Sequence, residues 1–145
     1  MLFRSEKVLL VDDEKEFLEI MSERMKARGM EVTTAESADQ ALSIIGKKSF
    51  DAIVMDFQMP GMDGMEALKS IKDKKPELQI ILLTGYATVE KTVEAMKVGA
   101  TDFLEKPADI EALAEKIKKA KTEKMLIVEK QTEEKIKEIL QSRGV

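Results

Sequence analysis

The chain has 145 residues, 43% of them hydrophobic and 36% charged, which is the length of one ordinary domain with enough apolar material for a core. Lys and Arg number 24 against 28 Asp and Glu, so the net charge of −4 leaves no basic footprint of the kind that nucleic-acid binding requires. Cys and His are both absent, which excludes disulfides, thiol nucleophiles, zinc–thiolate sites and imidazole bases, and restricts any metal site to oxygen ligands; that favours magnesium or calcium and permits manganese.

The chain opens Met1-Leu2-Phe3-Arg4-Ser5-Glu6-Lys7, with charges too close to the first apolar run for a signal peptide. No apolar stretch approaches the ~20 residues that span a bilayer. The expectation is a cytosolic protein with no membrane insertion.

Val8-Leu9-Leu10-Val11 is short, branched and followed by acids, and predicts a buried strand. From Glu14 the period lengthens: Phe17, Ile20, Met21, Met25 and Arg28 recur on one helical face, and Gly29 stops the helix. Glu31 to Thr34 predicts a second strand, and Ser37 precedes a helix through Ala38, Ala41, Leu42 and Ile45. Asp51-Ala52-Ile53-Val54-Met55 is a third strand and again ends in an acid, Asp56. Pro and Gly mark Met59 to Gly64 as a loop, after which Met65, Leu68 and Ile71 resume helical spacing. Pro76 breaks that helix. Ile80-Ile81-Leu82-Leu83 is a fourth strand closing on Thr84-Gly85; Val89, Val93 and Met96 form a fourth helical face ended by Gly99. Asp102-Phe103-Leu104 is a brief fifth strand, and Lys106-Pro107 leads into a helix from about Ala108.

Five strand–helix alternations predict an α/β fold, a doubly wound parallel sheet with helices on both faces and right-handed crossovers. Sites in such sheets lie beyond the carboxyl ends of the strands. Those ends carry Asp12-Asp13, Asp56, Thr84 and Lys106. Three carboxylates brought together repel one another and lose hydration, and a hard cation such as Mg²⁺ relieves both costs. Phosphoryl transfer needs mainly alignment and charge neutralisation. Lys106 supplies one positive charge, the Thr84 hydroxyl one hydrogen bond, and an Asp nucleophile gives an acyl phosphate. An acidic pair after a strand is, by itself, more often a solvated loop, and Lys-Pro or Thr-Gly more often a turn. The weight lies in four strand ends that each deliver a complementary group.

The ordered set Val8 to Glu14, Asp51 to Asp56, Met59-Pro60-Gly61-Met62-Asp63-Gly64, Leu83-Thr84-Gly85-Tyr86 and Gly99 to Pro107 resembles the receiver domain of bacterial two-component response regulators. The resemblance covers most of residues 7 to about 120. It implies a flavodoxin-like five-stranded sheet of order 2-1-3-4-5. It implies Asp56 as the phosphorylated residue, Asp13 as a direct metal ligand, Asp12 as its companion acting through water, and the Gln58 carbonyl as a third ligand, the metal being Mg²⁺ with Mn²⁺ as substitute. Lys106, joined to Pro107 by a cis bond, contacts the phosphoryl group. Thr84 and Phe103 form the switch pair, Phe103 lacking the hydroxyl that many members carry, and Gln58 and Tyr86 tune hydrolysis. The implied donor is a sensor histidine kinase or a histidine phosphotransfer protein, which supplies the imidazole this chain lacks. No second general acid–base group or substrate cap is evident, so turnover of a separate substrate is not expected. The rival is a receiver-like interaction module that signals without phosphorylation.

The expected division is a receiver domain over 1–120 and a helical extension over 121–145. Glu111 to Leu140 contains no Pro or Gly and favours helix. Leu113 and Ile117 fit the domain's last helix, while Met125, Val128, Thr132, Ile136 and Ile139 or Leu140 continue at three-or-four spacing. Three readings of this tail compete: a helix pairing two subunits into a homodimer, a segment folded back on its own domain, and a signalling helix leading to a further module.

Overall fold

The computed structural model describes residues 5–59, 63–85 and 89–142. Its strands are β1 (Lys7–Val11), β2 (Glu31–Ala35), β3 (Ala52–Asp56), β4 (Gln79–Thr84) and β5 (Asp102–Glu105). Helices α1 (Lys15–Ala27), α2 (Ala38–Ile45), α3 (Gly64–Lys74), α4 (Val89–Val98) and α5 (Ile110–Ser142) alternate with them. Every strand pair is parallel and the sheet order is β2-β1-β3-β4-β5. This is the doubly wound architecture expected from the alternation of elements.

Period-two alternation divides the central strands between two cores. Leu9, Val11, Ile53, Met55, Ile80 and Leu82 face α2, α3 and α4, where Ala41, Ile45, Leu68, Ile71 and Ala95 meet them. Val8, Leu10, Ala52, Val54, Ile81 and Leu83 face α1 and α5, against Leu18, Met21, Met25, Leu113 and Ile117. Burial on both faces explains why β1, β3 and β4 read as continuous apolar runs.

Two helices bury faces other than those their large side chains suggest. On α1 the buried set is Leu18, Met21, Ser22 and Met25, while Ile20 is 52% exposed. The stripe is rotated toward Leu18 because α1 packs on both the sheet and α5. Among the described side chains of α4 the small Ala95 is the one buried, and Val93 and Met96 face outward.

Helix ends follow their local chemistry. The Ser37 hydroxyl accepts a hydrogen bond from the Gln40 N–H at the start of α2, and Asp63 accepts one from the Met65 N–H at the start of α3. Gly29 ends the α1 turn with φ 86°, a conformation that favours glycine. At Gly64 a side chain would strike the Phe57 carbonyl oxygen and ring, so glycine there lets α3 begin directly beneath the β3 end.

Helix α5 runs unbroken past residue 120 to Ser142. Its first part is held by Leu113, Ala114, Ile117 and Ala120. The Lys124 ammonium donates to the Phe50 carbonyl at 2.7 Å, at the base of the sheet. Residues 128–142 are exposed throughout, so beyond the Lys124 contact this part of the tail does not fold back onto the domain. No helix among the described residues is long and apolar enough to cross a membrane.

Candidate functional site

Strand register brings the chemistry-bearing residues level. Val11 pairs with Met55, so Asp12, one residue on, stands beside Asp56. Asp56 pairs with Leu83, which places Thr84 one step beyond it, and Thr84 pairs with Glu105, which places Lys106 just past the edge. Backbone bonds continue the pairing beyond the strands: the Phe57 N–H donates to Leu83 O at 2.9 Å, and the Lys106 N–H donates to Thr84 O at 2.9 Å. The Lys106–Pro107 peptide bond is cis.

Asp12 is fully buried, Asp56 nearly so, and Asp13 is exposed at the mouth. Each offers a carboxylate oxygen, and the three atoms lie within 4.8 Å of one another. Asp12 also accepts the Glu14 N–H at 2.9 Å, and Asp56 accepts the Gln58 N–H at 2.9 Å. Both acids are thereby fixed in orientation by the loop that follows their own strand. Gln58 itself is exposed beside Asp56.

Lys106 is the counter-charge. Its ammonium donates to Asp12 Oδ2 at 2.6 Å and to Asp56 Oδ2 at 3.2 Å, and Glu14 lies 3.9 Å away. Burial pushes the Asp56 carboxyl above the ordinary carboxylate range, outweighing the Gln58 N–H and the positive charge of Lys106, with Asp12 repulsion acting in the same direction as burial. For Lys106, burial works against its charge, but the hydrogen bonds and attraction of Asp12 and Asp56 prevail and hold the ammonium above its usual value.

Two contacts of Lys106 were not assigned to the site by the sequence. Glu14 closes the acidic mouth, and the Phe17 ring lies under the ammonium, 4.4 Å from its centroid, in cation–π range. The available signal for Phe17 was its place on the first turn of α1, directly after the acidic loop.

Thr84 is buried and Phe103 half-buried. They share a cavity of ≈ 20 Å³ with Phe57, Leu82, Lys91, Thr92, Ala95 and Met96, room for about one water. The Phe103 N–H is held by Asp102 Oδ1 at 2.8 Å. Tyr86, expected to tune hydrolysis, lies outside the described residues, as do Pro60, Gly61 and Met62 of the Pro/Gly loop.

The arrangement is a carboxylate cluster, able to chelate a divalent metal, around an acid whose counter-charge can also meet an incoming anion. The donor set is all oxygen and partly buried, which suits a hard cation.

The profile of the response regulator receiver domain matches residues 8–118. Among curated proteins, the chain is 39% identical over 107 residues to the response regulator protein FleR of Pseudomonas aeruginosa, covering 74% of this chain and 23% of FleR. The chain spans about a quarter of the length of such curated relatives. Among solved structures, a response regulator receiver domain protein from Clostridium thermocellum superposes with a TM-score of 0.79 at 34% identity, covering 84% of this chain and 98% of that one. A response regulator from Burkholderia pseudomallei, solved with a phosphorylated aspartic acid, a calcium ion and citrate, gives a TM-score of 0.72 at 31% identity, covering 76% of this chain and 65% of that one.

Proposed function

This chain belongs to the response regulator receiver family, a phosphoacceptor of two-component signalling, and we propose that Asp56 is its phosphoryl acceptor and that phosphorylation there drives a conformational switch. The observation that carries the reading is the Lys106 ammonium bridging Asp12 and Asp56, with Asp13 at the mouth of the same cluster.

Asp12, Asp13 and Asp56, with the Gln58 carbonyl, would hold Mg²⁺, with Mn²⁺ as a substitute. When bound, the cation neutralises the crowded carboxylates and the phosphoryl oxygens. An Asp56 carboxylate oxygen forms the new bond to phosphorus as the donor's phosphorus–nitrogen bond breaks. The bonding pair remains with the departing imidazole, and the product is an acyl phosphate. The donor is a phosphohistidine on a sensor histidine kinase or a histidine phosphotransfer protein in the cytosol, since this chain supplies no histidine. Asp56 then loses its hold on Lys106 as a simple carboxylate, and the ammonium pairs with a phosphoryl oxygen. The buried Thr84 hydroxyl turns toward another.

Phe103 follows Thr84. The cavity they share has room for only about one water, so the ring enters only where Thr84 has moved away from the wall. The surface of α4 and β5 changes in consequence. Gln58, exposed beside Asp56, and Tyr86 set how fast water removes the phosphoryl group. The receiver unit closes near residue 120, and residues 121–142 are a helical extension. No separate substrate is turned over, and no nucleic acid is bound by this acidic chain directly.

Beryllofluoride, an acyl-phosphate mimic, tests the reading in two-dimensional NMR. With Mg²⁺ present it should shift the amide signals of Thr84, Phe103 and Lys106, and Asp56→Asn should abolish the change. An unchanged spectrum would favour a receiver-like module that signals without phosphorylation.

A further inference from the structure

Three carboxylates compete for the Lys106 ammonium. Two of them hold it by hydrogen bonds, Asp12 Oδ2 at 2.6 Å and Asp56 Oδ2 at 3.2 Å. The third, Glu14, lies 3.9 Å away, and its side chain is 69% exposed against 0% and 8% for the other two. Glu14 is the N-cap residue of α1, yet its side chain makes no capping hydrogen bond, so its carboxylate is not tied to the helix end. An ion pair at the open mouth needs less desolvation than one at the buried pair. Glu14 therefore offers the ammonium an outward alternative.

The Phe17 ring favours the inward one. Phe17 follows Glu14 by three residues, which makes the two side chains neighbours at the start of α1. Its ring centroid is 4.4 Å from the Lys106 ammonium, within the range at which an aromatic face attracts a cation. The ring is half-buried and packs on the core between α1, α5 and the sheet, as do Leu104, Ala108 and Ile110 on either side of Lys106 in the chain. It is thus anchored, whereas Glu14 is solvated.

The chemistry of the contact suits phosphoryl transfer. An ammonium has three N–H donors, and two are given to Asp12 and Asp56. An aromatic face attracts the charge without a formal charge of its own, so it need not be displaced when a phosphoryl oxygen arrives. A carboxylate in the same place would compete with that oxygen. An aliphatic side chain would fill the space and attract nothing.

We propose that Phe17 is a positioning residue for phosphoryl transfer: its ring seats the Lys106 ammonium beside Asp12 and Asp56 and withholds it from Glu14. The proposal rests on the acceptor role of Asp56 and adds which pose of the lysine serves it. With Lys106 seated, a positive charge stands next to the Asp56 oxygen that receives the donor. With Lys106 drawn to Glu14, the anionic donor meets the carboxylates without that charge. The seat outlasts the reaction, because the attraction of the ring does not depend on whether Asp56 is a carboxylate or an acyl phosphate.

Phosphoryl uptake by the full chain from acetyl phosphate with Mg²⁺, followed by intact mass, tests this in single and double variants. Phe17→Leu should slow uptake about two- to fivefold and raise by the same factor the beryllofluoride concentration that half-converts the Lys106 amide signal in NMR. Phe17→Tyr, which keeps the ring, should restore both. The comparison that separates positioning from packing is made in Glu14→Gln: with the competing charge gone, adding Phe17→Leu should leave the rate at that of Glu14→Gln alone. A defect of equal size in both backgrounds would mark a packing role and overturn the proposal. Phe17→Leu at the wild-type rate, with the phosphoryl group on Asp56, would overturn it while leaving the acceptor role intact. A wild-type chain that takes up no phosphoryl group would remove the acceptor role and this proposal together.

Discussion

Replacing Lys106 with Met isolates the electrostatics of the site, because the aliphatic stem over Phe17 is kept while the charge is lost. Two buried carboxylates depend on that ammonium, Asp12 at 2.6 Å with its side chain 0% exposed and Asp56 at 3.2 Å with its side chain 8% exposed. Stranding a buried charge costs about 3–5 kcal/mol. Lys106 is itself 19% exposed and the mouth at Asp13 is open, so solvent relieves part of this and the expected loss falls to about 2–3 kcal/mol. For a domain of this size that is a fall in Tm of roughly 6–10 °C. Metal-free urea unfolding followed by circular dichroism measures it. The penalty belongs to the ionised carboxylates, and burial raises the Asp56 value above that of the unfolded chain. A raised carboxyl is destabilising while ionised, so the burden on the fold is present at neutral pH. It lifts as pH falls through the raised folded value and is gone below about 3.9, the unfolded value. The difference between Lys106→Met and wild type should therefore shrink on acidification. Excess Mg²⁺ should restore part of it at neutral pH by binding the folded state alone. An unchanged midpoint at neutral pH, or a loss that persists undiminished in acid, would refute this view of the site.

Phe17→Leu should preserve packing but remove the ring face beneath Lys106, slowing phosphoryl uptake from a small donor about two- to fivefold, while Phe17→Tyr keeps the wild-type rate. Equal rates for Leu and Tyr would deny the ring any electrostatic part. Truncation along α5 should divide sharply at the end of the core: Ile117→Ala, at a fully buried position, should cost about 2–5 kcal/mol in urea unfolding. Leu126→Ala, at a position 60% exposed and beyond the domain core, should cost under about 0.5 kcal/mol. A comparable loss at Leu126 would mean that the projecting helix is packed against the domain after all.

Strand ends carried most of what the sequence revealed. β1, β3 and β4 are buried on both faces, so each is a short apolar run with an obvious stop, and the stops are Asp12, Asp56 and Thr84. Helix faces were less legible. Phe17, Ile20, Met21 and Met25 share a period, yet the buried stripe passes through Leu18 and Ser22 because α5, distant in sequence, forms the other wall. On α4 the large side chains misdirect, since close approach to the sheet uses Ala95 and leaves Val93 and Met96 outside. Phe17 escaped notice as a site residue for a related reason. Its relation to Lys106 joins α1 to the end of β5, far apart in sequence, and nothing local to the first turn of α1 signals an ammonium above the ring. The continuity of α5 past residue 120 follows from composition, but its contact with Phe50 through Lys124 joins residues 74 apart and has no local signature.

The central claim is that Asp56 takes the phosphoryl group. Incubation with acetyl phosphate and Mg²⁺, followed by intact mass measurement and borohydride trapping of the acyl phosphate, tests it directly. The account predicts one phosphoryl group per chain, mapped to Asp56, absent without a divalent metal and absent in Asp56→Asn. Uptake on another residue, or equal uptake in Asp56→Asn, would contradict it.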